Sequence, residues 1–185
     1  QHVPYLDEQS KQRGYKLAVV GNTFVYPIVA YSKKIKNLAE LQNGSTIVIP
    51  NDPTNGGRSL LLLQKNGLLK LKESVGLLPK VTDIIANPRQ LKILEIEAPQ
   101  LPAVLDDKQV SIAIINNNFA AQAGLNAEKF GIMKEDKESP YVNVIVARQD
   151  NKNLEKVKNF VKAYQSSAVE KVALKAFKNG AVKGW

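Results

Sequence analysis

Apolar positions along this chain fall into short runs, and the period of each run suggests what it forms. Tyr15 to Val20 reads as one strand and Phe24 to Tyr31 as another. Thr46 to Ile49 is a short run of buried-strand type, and Lys92 to Glu97 alternates, with Ile93 on one face and Leu94 and Ile96 on the other. Ser111-Ile112-Ala113-Ile114-Ile115 is continuously apolar, which fits a parallel strand covered on both faces. Tyr141 to Ala147 is a further strand. Helical stretches lie between them. Residues 2–13 form a polar helix ending at Gly14, and Asn37 caps a short helix over 38–41. A helix with Arg58 in its first turn runs to about Asn66 and stops at Gly67, its four consecutive leucines implying burial on more than one side. Residues 68–91 are irregular or in short helices, punctuated by Pro79 and Pro88. Pro99 to Pro102 opens a helix over 103–105, and 118–123 forms another ending at Gly124. Near the C-terminus, Leu154, Val157, Phe160, Val161 and Tyr164 share one helix face, and Val169, Val172, Ala173, Ala176 and Phe177 share another. Short strands alternating with helices predict an α/β sheet with crossovers.

Composition narrows the chemistry. A length of 185 residues suits one large domain or two small lobes. No apolar run approaches the roughly 18 residues of a membrane span. The start, Gln1-His2-Val3-Pro4-Tyr5, has no basic and apolar leader pattern, so the chain reads as processed or trimmed. With no Cys and one His, thiol catalysis, disulfides and Cys- or His-rich metal sites are excluded, and no metal or cofactor is expected. Net charge is +9, and residues 151–185 hold eight Lys against two Glu with no Arg. A nucleic-acid binder concentrates Arg and aromatics on one face, so no nucleic-acid partner is expected. The lysines either form a solvated face or steer the protein to an acidic membrane or partner surface.

Three strand ends finish in polar residues that suit one ligand. Ligands of open α/β sheets bind outside the carboxyl ends of the strands. The first end is Asn51-Asp52-Pro53-Thr54-Asn55-Gly56-Gly57-Arg58-Ser59, read as a Gly-rich turn opening a helix. A helix start favours an anion, and the Arg58 fork can grip a carboxylate with two parallel bonds. The second is Asn116-Asn117-Asn118, and the third is Pro140-Tyr141-Val142-Asn143. One Arg with several Asn matches a zwitterion, with carboxylate on Arg58 and ammonium or carboxylate oxygens on Asn116 and Asn143. Each Asn taken singly also fits a cap or turn. His2, Tyr5, Phe24 and Tyr26 form an early aromatic set that could wall in an apolar or thioether side chain, or simply pack a core. Glu95 and Glu97 read as a solvated face and Asp106-Asp107 as a turn, so an enzyme is not expected.

Several segments resemble one family. They are Gln1-His2-Val3-Pro4-Tyr5-Leu6-Asp7, Gly21-Asn22-Thr23-Phe24-Val25-Tyr26-Pro27, Ile49-Pro50-Asn51-Asp52-Pro53-Thr54-Asn55, Glu97-Ala98-Pro99-Gln100-Leu101-Pro102, Glu138-Ser139-Pro140-Tyr141-Val142-Asn143 and Gly180-Ala181-Val182-Lys183-Gly184-Trp185. Together they resemble the NlpA lipoprotein family, the methionine-binding lipoproteins of bacterial ABC importers. The resemblance implies a two-lobed periplasmic-binding-protein fold, type II-like, with the ligand clamped between lobes. It implies crossovers at Tyr26-Pro27-Ile28 and Pro140-Tyr141-Val142, one lobe over 29–140, and a first lobe, built from 1–28 and 141–185, that is incomplete. It assigns Arg58 to the ligand carboxylate, Asn116 and Asn143 to the ligand's polar backbone groups, and His2, Tyr5 and Tyr26 to the side-chain pocket. The implied partners are methionine or a similar amino acid, an importer permease, and the membrane through a lipid anchor outside this chain. The implied location is the periplasmic or extracytoplasmic face of the cell envelope. A ligand-sensing regulatory domain of similar fold is the alternative.

Overall fold

The computed structural model describes residues 1–136, 139–177 and 180–185. Glu138 of the fifth segment above and Lys178 of the basic excess lie outside the described residues. In chain order the regular elements begin with α1 (Val3–Arg13), β1 (Leu17–Val25), β2 (Val29–Tyr31) and β3 (Thr46–Pro50). There follow α2 (Pro53–Lys65), β4 (Lys70–Leu71), β5 (Ile84–Ala86), β6 (Lys92–Ile96) and β7 (Val110–Ile115). The last are α3 (Asn117–Gln122), α4 (Ala127–Phe130), β8 (Gly131–Lys134), β9 (Val142–Arg148), α5 (Glu155–Tyr164), α6 (Ser167–Ala176) and β10 (Val182–Lys183). Single 3-10 turns cover Leu38–Glu40, Val81–Asp83, Ala98–Gln100 and Ala103–Asp106.

The chain divides into two compact units. Unit 1 is Gln1–Pro27 with Asp136–Trp185, and unit 2 is Ile28–Glu135. Unit 2 holds a five-stranded sheet in the order β6-β3-β7-β2-β8, with a small β4-β5 pair beside it in sequence. β3 runs parallel to β6 and β7, and β2 runs antiparallel to β7 and β8. Alternate residues of the central strands enter two different cores. Ile47, Ile49, Ile112 and Ile114 pack with Leu60, Leu62 and Leu63 of α2. Val48, Ala113 and Ile115 pack with Leu101, Leu105 and Ala120 of α3. Both faces of β7 are therefore covered, as its unbroken apolar run predicts. Each such Ile or Leu contributes about 1.5–3 kcal/mol of burial.

Unit 1 holds a three-stranded antiparallel sheet in the order β10-β1-β9. Phe24, Ala173 and Ala181 form its buried cluster, with Tyr26, Tyr164, Phe177 and Trp185 packed against it. α1 ends on Gly14, whose φ of 68° is the left-handed conformation that glycine adopts without steric cost.

Three expectations change. The two early strands divide at residues 26–28: β1 continues through Gly21 to Val25, and only Val29–Tyr31 forms β2. The register shift between Val19 and Gly21 marks a bulge that lets a long strand keep its pairing with β9. Secondly, α2 starts at Pro53, so Arg58 lies in its second turn. Asp52 caps it and Pro53 supplies a preset φ. Gly56 and Gly57 are helical and are needed for close packing. A Cβ on Gly56 would lie 2.8 Å from the Pro50 carbonyl oxygen, and one on Gly57 would lie 3.0 Å from that of Leu77. Finally, residues 68–91 include the β4-β5 pair, which two- and three-residue strands do not announce in a sequence.

Candidate functional site

Unit 2 gathers a polar cluster at the carboxyl ends of β3 and β7. The chain leaves β3 through Asn51 and Asp52 and turns directly into α2. The Asp52 carboxylate caps the helix by accepting from the backbone N–H of Asn55 at 2.9 Å, and it also accepts from the Thr54 hydroxyl at 2.9 Å. The Asn55 side-chain NH2 donates to both carboxylate oxygens of Asp52, at 3.1 and 3.0 Å. Asn55 Oδ1 then accepts from Asn116 Nδ2 at 2.8 Å. Asn116 is the first residue past β7 and the N-cap position of α3. Its Oδ1 is buried and has no hydrogen-bond partner among the described residues, and the same holds for Asn117 Oδ1.

Arg58 lies three residues after Asn55 on α2, hence on the same helix face. It is 3% exposed and is gripped by Glu135, itself 14% exposed. Arg58 Nε donates to Glu135 Oε1 at 2.9 Å, and Nη2 donates to Oε2. Glu135 Oε2 also accepts from the Ile28 backbone N–H at 3.3 Å, and Glu135 N–H donates to the Ile28 carbonyl at 3.1 Å. A second carboxylate at Arg58 would have to share the guanidinium with Glu135 or displace it.

Unit 1 gathers the aromatic residues and Asn143. His2 caps α1: its Nδ1 accepts from the Tyr5 backbone N–H at 3.3 Å. That bond makes Nδ1 the acceptor of the imidazole. His2 is 4% exposed, bridges antiparallel to Asn143, and meets the Tyr141 ring edge-on at 5.1 Å and the Tyr5 ring at 6.2 Å. The Asn143 carbonyl accepts from the Thr23 hydroxyl at 3.0 Å. Tyr26 packs with Phe177 at 4.6 Å and Phe24 at 6.0 Å between ring centroids. Burial, helped by neighbouring Tyr164, pushes its phenol up to about 12.

Of the expected residues, Arg58 and Asn116 thus share one cluster through Asn55, and His2, Tyr5 and Asn143 share a second. Tyr26 is partly buried and packs against the aromatic cluster of unit 1. Sequence reasoning missed the roles of Asp52, Asn55 and Glu135. An Asp directly before a Pro at a helix start was a readable cap signal. Glu135 carried none, being 77 residues from Arg58 in sequence. Among the described residues, no group of three His, Cys, Asp or Glu could hold a metal ion, and no helix is long and apolar enough to cross a membrane.

The first cluster combines a buried guanidinium with amide and carboxylate groups. It holds a buried cation, Arg58, which is paired with Glu135, and a buried acceptor, Asn116 Oδ1, with no hydrogen-bond partner among the described residues. Comparison with known proteins places the chain in a family. The sequence model of the NlpA lipoprotein family matches residues 1–185. The chain is 65% identical over 185 residues to the D-methionine-binding lipoprotein MetQ of Escherichia coli (strain K12), covering all of this chain and 68% of that protein. A nutrient binding protein from Burkholderia cenocepacia, solved bound to methionine, superposes with a TM-score of 0.94 at 47% identity, over all of this chain and 77% of the other. An ABC transporter periplasmic substrate-binding protein from Coxiella burnetii superposes with a TM-score of 0.93 at 44% identity, again over all of this chain and 77% of the other.

Proposed function

The chain belongs to the NlpA lipoprotein family, and we propose that it is the substrate-binding component of an ABC importer, which captures methionine or a related amino acid and delivers it to a permease. The observation that carries this reading is that one unit holds both the buried Arg58 guanidinium and an Asn116 oxygen with no partner among the described residues, Asn116 being bonded to Asn55 three residues before Arg58 on α2. A zwitterionic amino acid needs a cation for its carboxylate and an acceptor for its ammonium, both in a desolvated setting. Arg58 serves the carboxylate, and Asn116 and Asn143 serve the remaining backbone groups. His2, Tyr5 and Tyr26 offer aromatic faces to a thioether side chain. The two units serve as the two lobes, divided near Pro27 and between Glu135 and Tyr141. The mechanism is capture without bond chemistry: ligand stabilises one arrangement of the protein, which the permease recognises. The lipoprotein character of the relative supports work at the cell envelope, held there by a lipid anchor. Relatives named for transport and ligand binding leave the sensing-domain alternative unsupported.

Mass spectrometry of the ligand released on denaturing the purified full-length protein tests the reading, with calorimetry of methionine binding beside it. Methionine or a close analogue should be released, and Arg58→Ala should weaken its binding by about 2–5 kcal/mol, the cost of losing a desolvated charge pair. Release of an unrelated ligand, with no methionine binding, would remove the proposal.

A further inference from the structure

The polar cluster of unit 2 has a direction built into it. A carboxylate can only accept hydrogen bonds, so Asp52 obliges Asn55 to turn its NH2 toward it, as both Nδ2 contacts record. Asn55 must then present its oxygen on the other side. That oxygen accepts from Asn116 Nδ2, so Asn116 in turn is left with its own oxygen outward. The outward oxygen is buried and has no partner among the described residues. A buried acceptor without a partner carries a desolvation cost that a donor from a ligand would relieve. An amide that could rotate freely would offer either its donor or its acceptor; this one cannot, because its neighbours have already chosen.

Resting on the ligand-capture reading above, we propose that Asp52 and Asn55 are positioning residues that set the polarity of Asn116. Through them the site presents a carbonyl oxygen, not an NH2, and so selects ligands that carry a hydrogen-bond-donating ammonium beside their carboxylate. This decides between the two roles open to Asn116. It binds the ammonium, while the carboxylate is left to Arg58, whose guanidinium lies one turn further along the same helix face. Specificity of this kind is strong because the wrong ligand leaves a buried polar group unpaired.

The relay can be reversed without touching the ligand or removing the cap. In Asp52→Asn the side-chain oxygen still caps α2, since Asn caps helices as well as Asp does. Its NH2, however, now faces the NH2 of Asn55. The retained cap oxygen can still accept from Asn55 at 3.1 Å, but the 3.0 Å bond is lost. Only by turning Asn55 over does the new NH2 gain an acceptor. Asn116 then turns over after it, and the site presents N–H where it had presented oxygen. In the double variant Asp52→Asn/Asn116→Asp, a carboxylate oxygen faces the ligand again, the total charge is unchanged, and every bond of the relay has a donor and an acceptor.

The experiment is calorimetry on the full-length protein with two probes, methionine and 4-(methylsulfanyl)butanoate, which keeps the carboxylate and thioether but lacks the ammonium. The wild-type protein should prefer methionine. Asp52→Asn should weaken methionine about 10- to 100-fold, the range for an unmet buried hydrogen bond, and leave the analogue within about threefold. The double variant should recover most of the preference. The unfolding midpoint of ligand-free Asp52→Asn should match the wild type. If methionine binds the wild type and its preference over the analogue is unchanged in Asp52→Asn, the relay does not set the polarity of Asn116 and the proposal fails. Equal weakening of both probes together with a lowered midpoint also overturns it, because Asp52 is then only a cap. If the wild type binds neither probe, the capture reading itself fails and takes this inference with it.

Discussion

In unit 2, Ile112, Ile114 and Ile115 of β7 are fully buried, because each face of that strand meets a core of its own. In unit 1, Val19 of β1 stands directly opposite Val146 of β9, and the two are 47% and 36% exposed. Leu17, two residues before Val19 and so on the same face, is 38% exposed. α5 repeats the contrast. Val161 sits so close over Gly21 that a Cβ there would lie 2.8 Å from its methyl carbon. Leu154 and Phe160, of the same expected apolar face, are 46% and 58% exposed. α2 of unit 2, by contrast, buries Leu60, Leu62 and Leu63. Apolar periodicity specifies which side chains share a face. It does not specify what covers that face, and the two units answer that question differently. The buried cation and the relay both sit in the unit whose faces are covered, where excluded water strengthens polar pairs and packing holds them in place.

The largest break in this contrast should come from Glu135→Ala. It leaves the Arg58 guanidinium, 3% exposed, without the carboxylate that grips it. Removing one partner of a buried pair costs about 3–5 kcal/mol. Urea unfolding of the ligand-free protein, followed by hydrogen exchange at β3 and β7, should record that loss in unit 2. A loss under about 1 kcal/mol would mean that the pair does not support unit 2. Next in size is a direct comparison of the two sheets. Ile112→Ala should cost about 2–5 kcal/mol as a core cavity. Val19→Thr should stay within about 0.5 kcal/mol, as surface substitutions do. Equal costs would show that the β1-β9 face is covered in solution.

Smaller again is Gly56→Ala. In an exposed helix interior, alanine is favoured over glycine by about 1 kcal/mol. Here the new methyl would meet the Pro50 carbonyl oxygen at 2.8 Å, and that backbone belongs to a buried strand. Overpacking of this kind costs about 1–3 kcal/mol, so the sign of the substitution should reverse. Thermal unfolding would read it. A rise in Tm would mean that β3 and α2 part more easily than the packing of unit 2 implies.

Much of unit 2 was legible in the chain, for physical reasons. The run Ser111 to Ile115 could only be a strand covered on both sides, and Asn37 does cap its short helix, accepting from Ala39 N–H. The start of α2 was misread because Gly56-Gly57 looks like a turn. The close approach of Pro50 and Leu77 that requires those glycines is tertiary, so the local pattern does not contain it. Two members of the unit 2 polar cluster, Arg58 and Asn116, were singled out from strand-end positions. Their partners were less legible. The Asp52–Asn55 part of the relay is local and could have been read as a cap. The fork of Glu135 joins residues far apart in sequence and is set only when β8 pairs with β2. In unit 1 the apolar periodicity grouped side chains on faces but left their cover open, because amphipathicity fixes orientation and not cover.

The smallest effect on stability should come from the basic surface of unit 1, and it separates charge from packing there. Lys156 and Lys162 on α5 and Lys171 on α6 are all exposed. Reversing the three to Glu lowers the net charge from +9 to +3. Being surface changes, they should shift unfolding by no more than about 0.5 kcal/mol. All three are exposed and none is among the residues placed at the ligand, so methionine affinity should be unchanged. If the excess lysines only keep the protein soluble, association with the permease in lipid discs should also be unchanged. If they meet an anionic membrane or an acidic permease surface, association should slow at low ionic strength and recover as salt screens the field, over a Debye length of roughly 10 Å at 0.1 M. The first outcome is expected, since an excess of exposed lysines without Arg is the ordinary composition of a solvated face. Wild-type rates at both ionic strengths would leave the lysines as a solvated face. The exposed apolar side chains Leu154 and Phe160 would then be the feature of α5 that still needs a physical account.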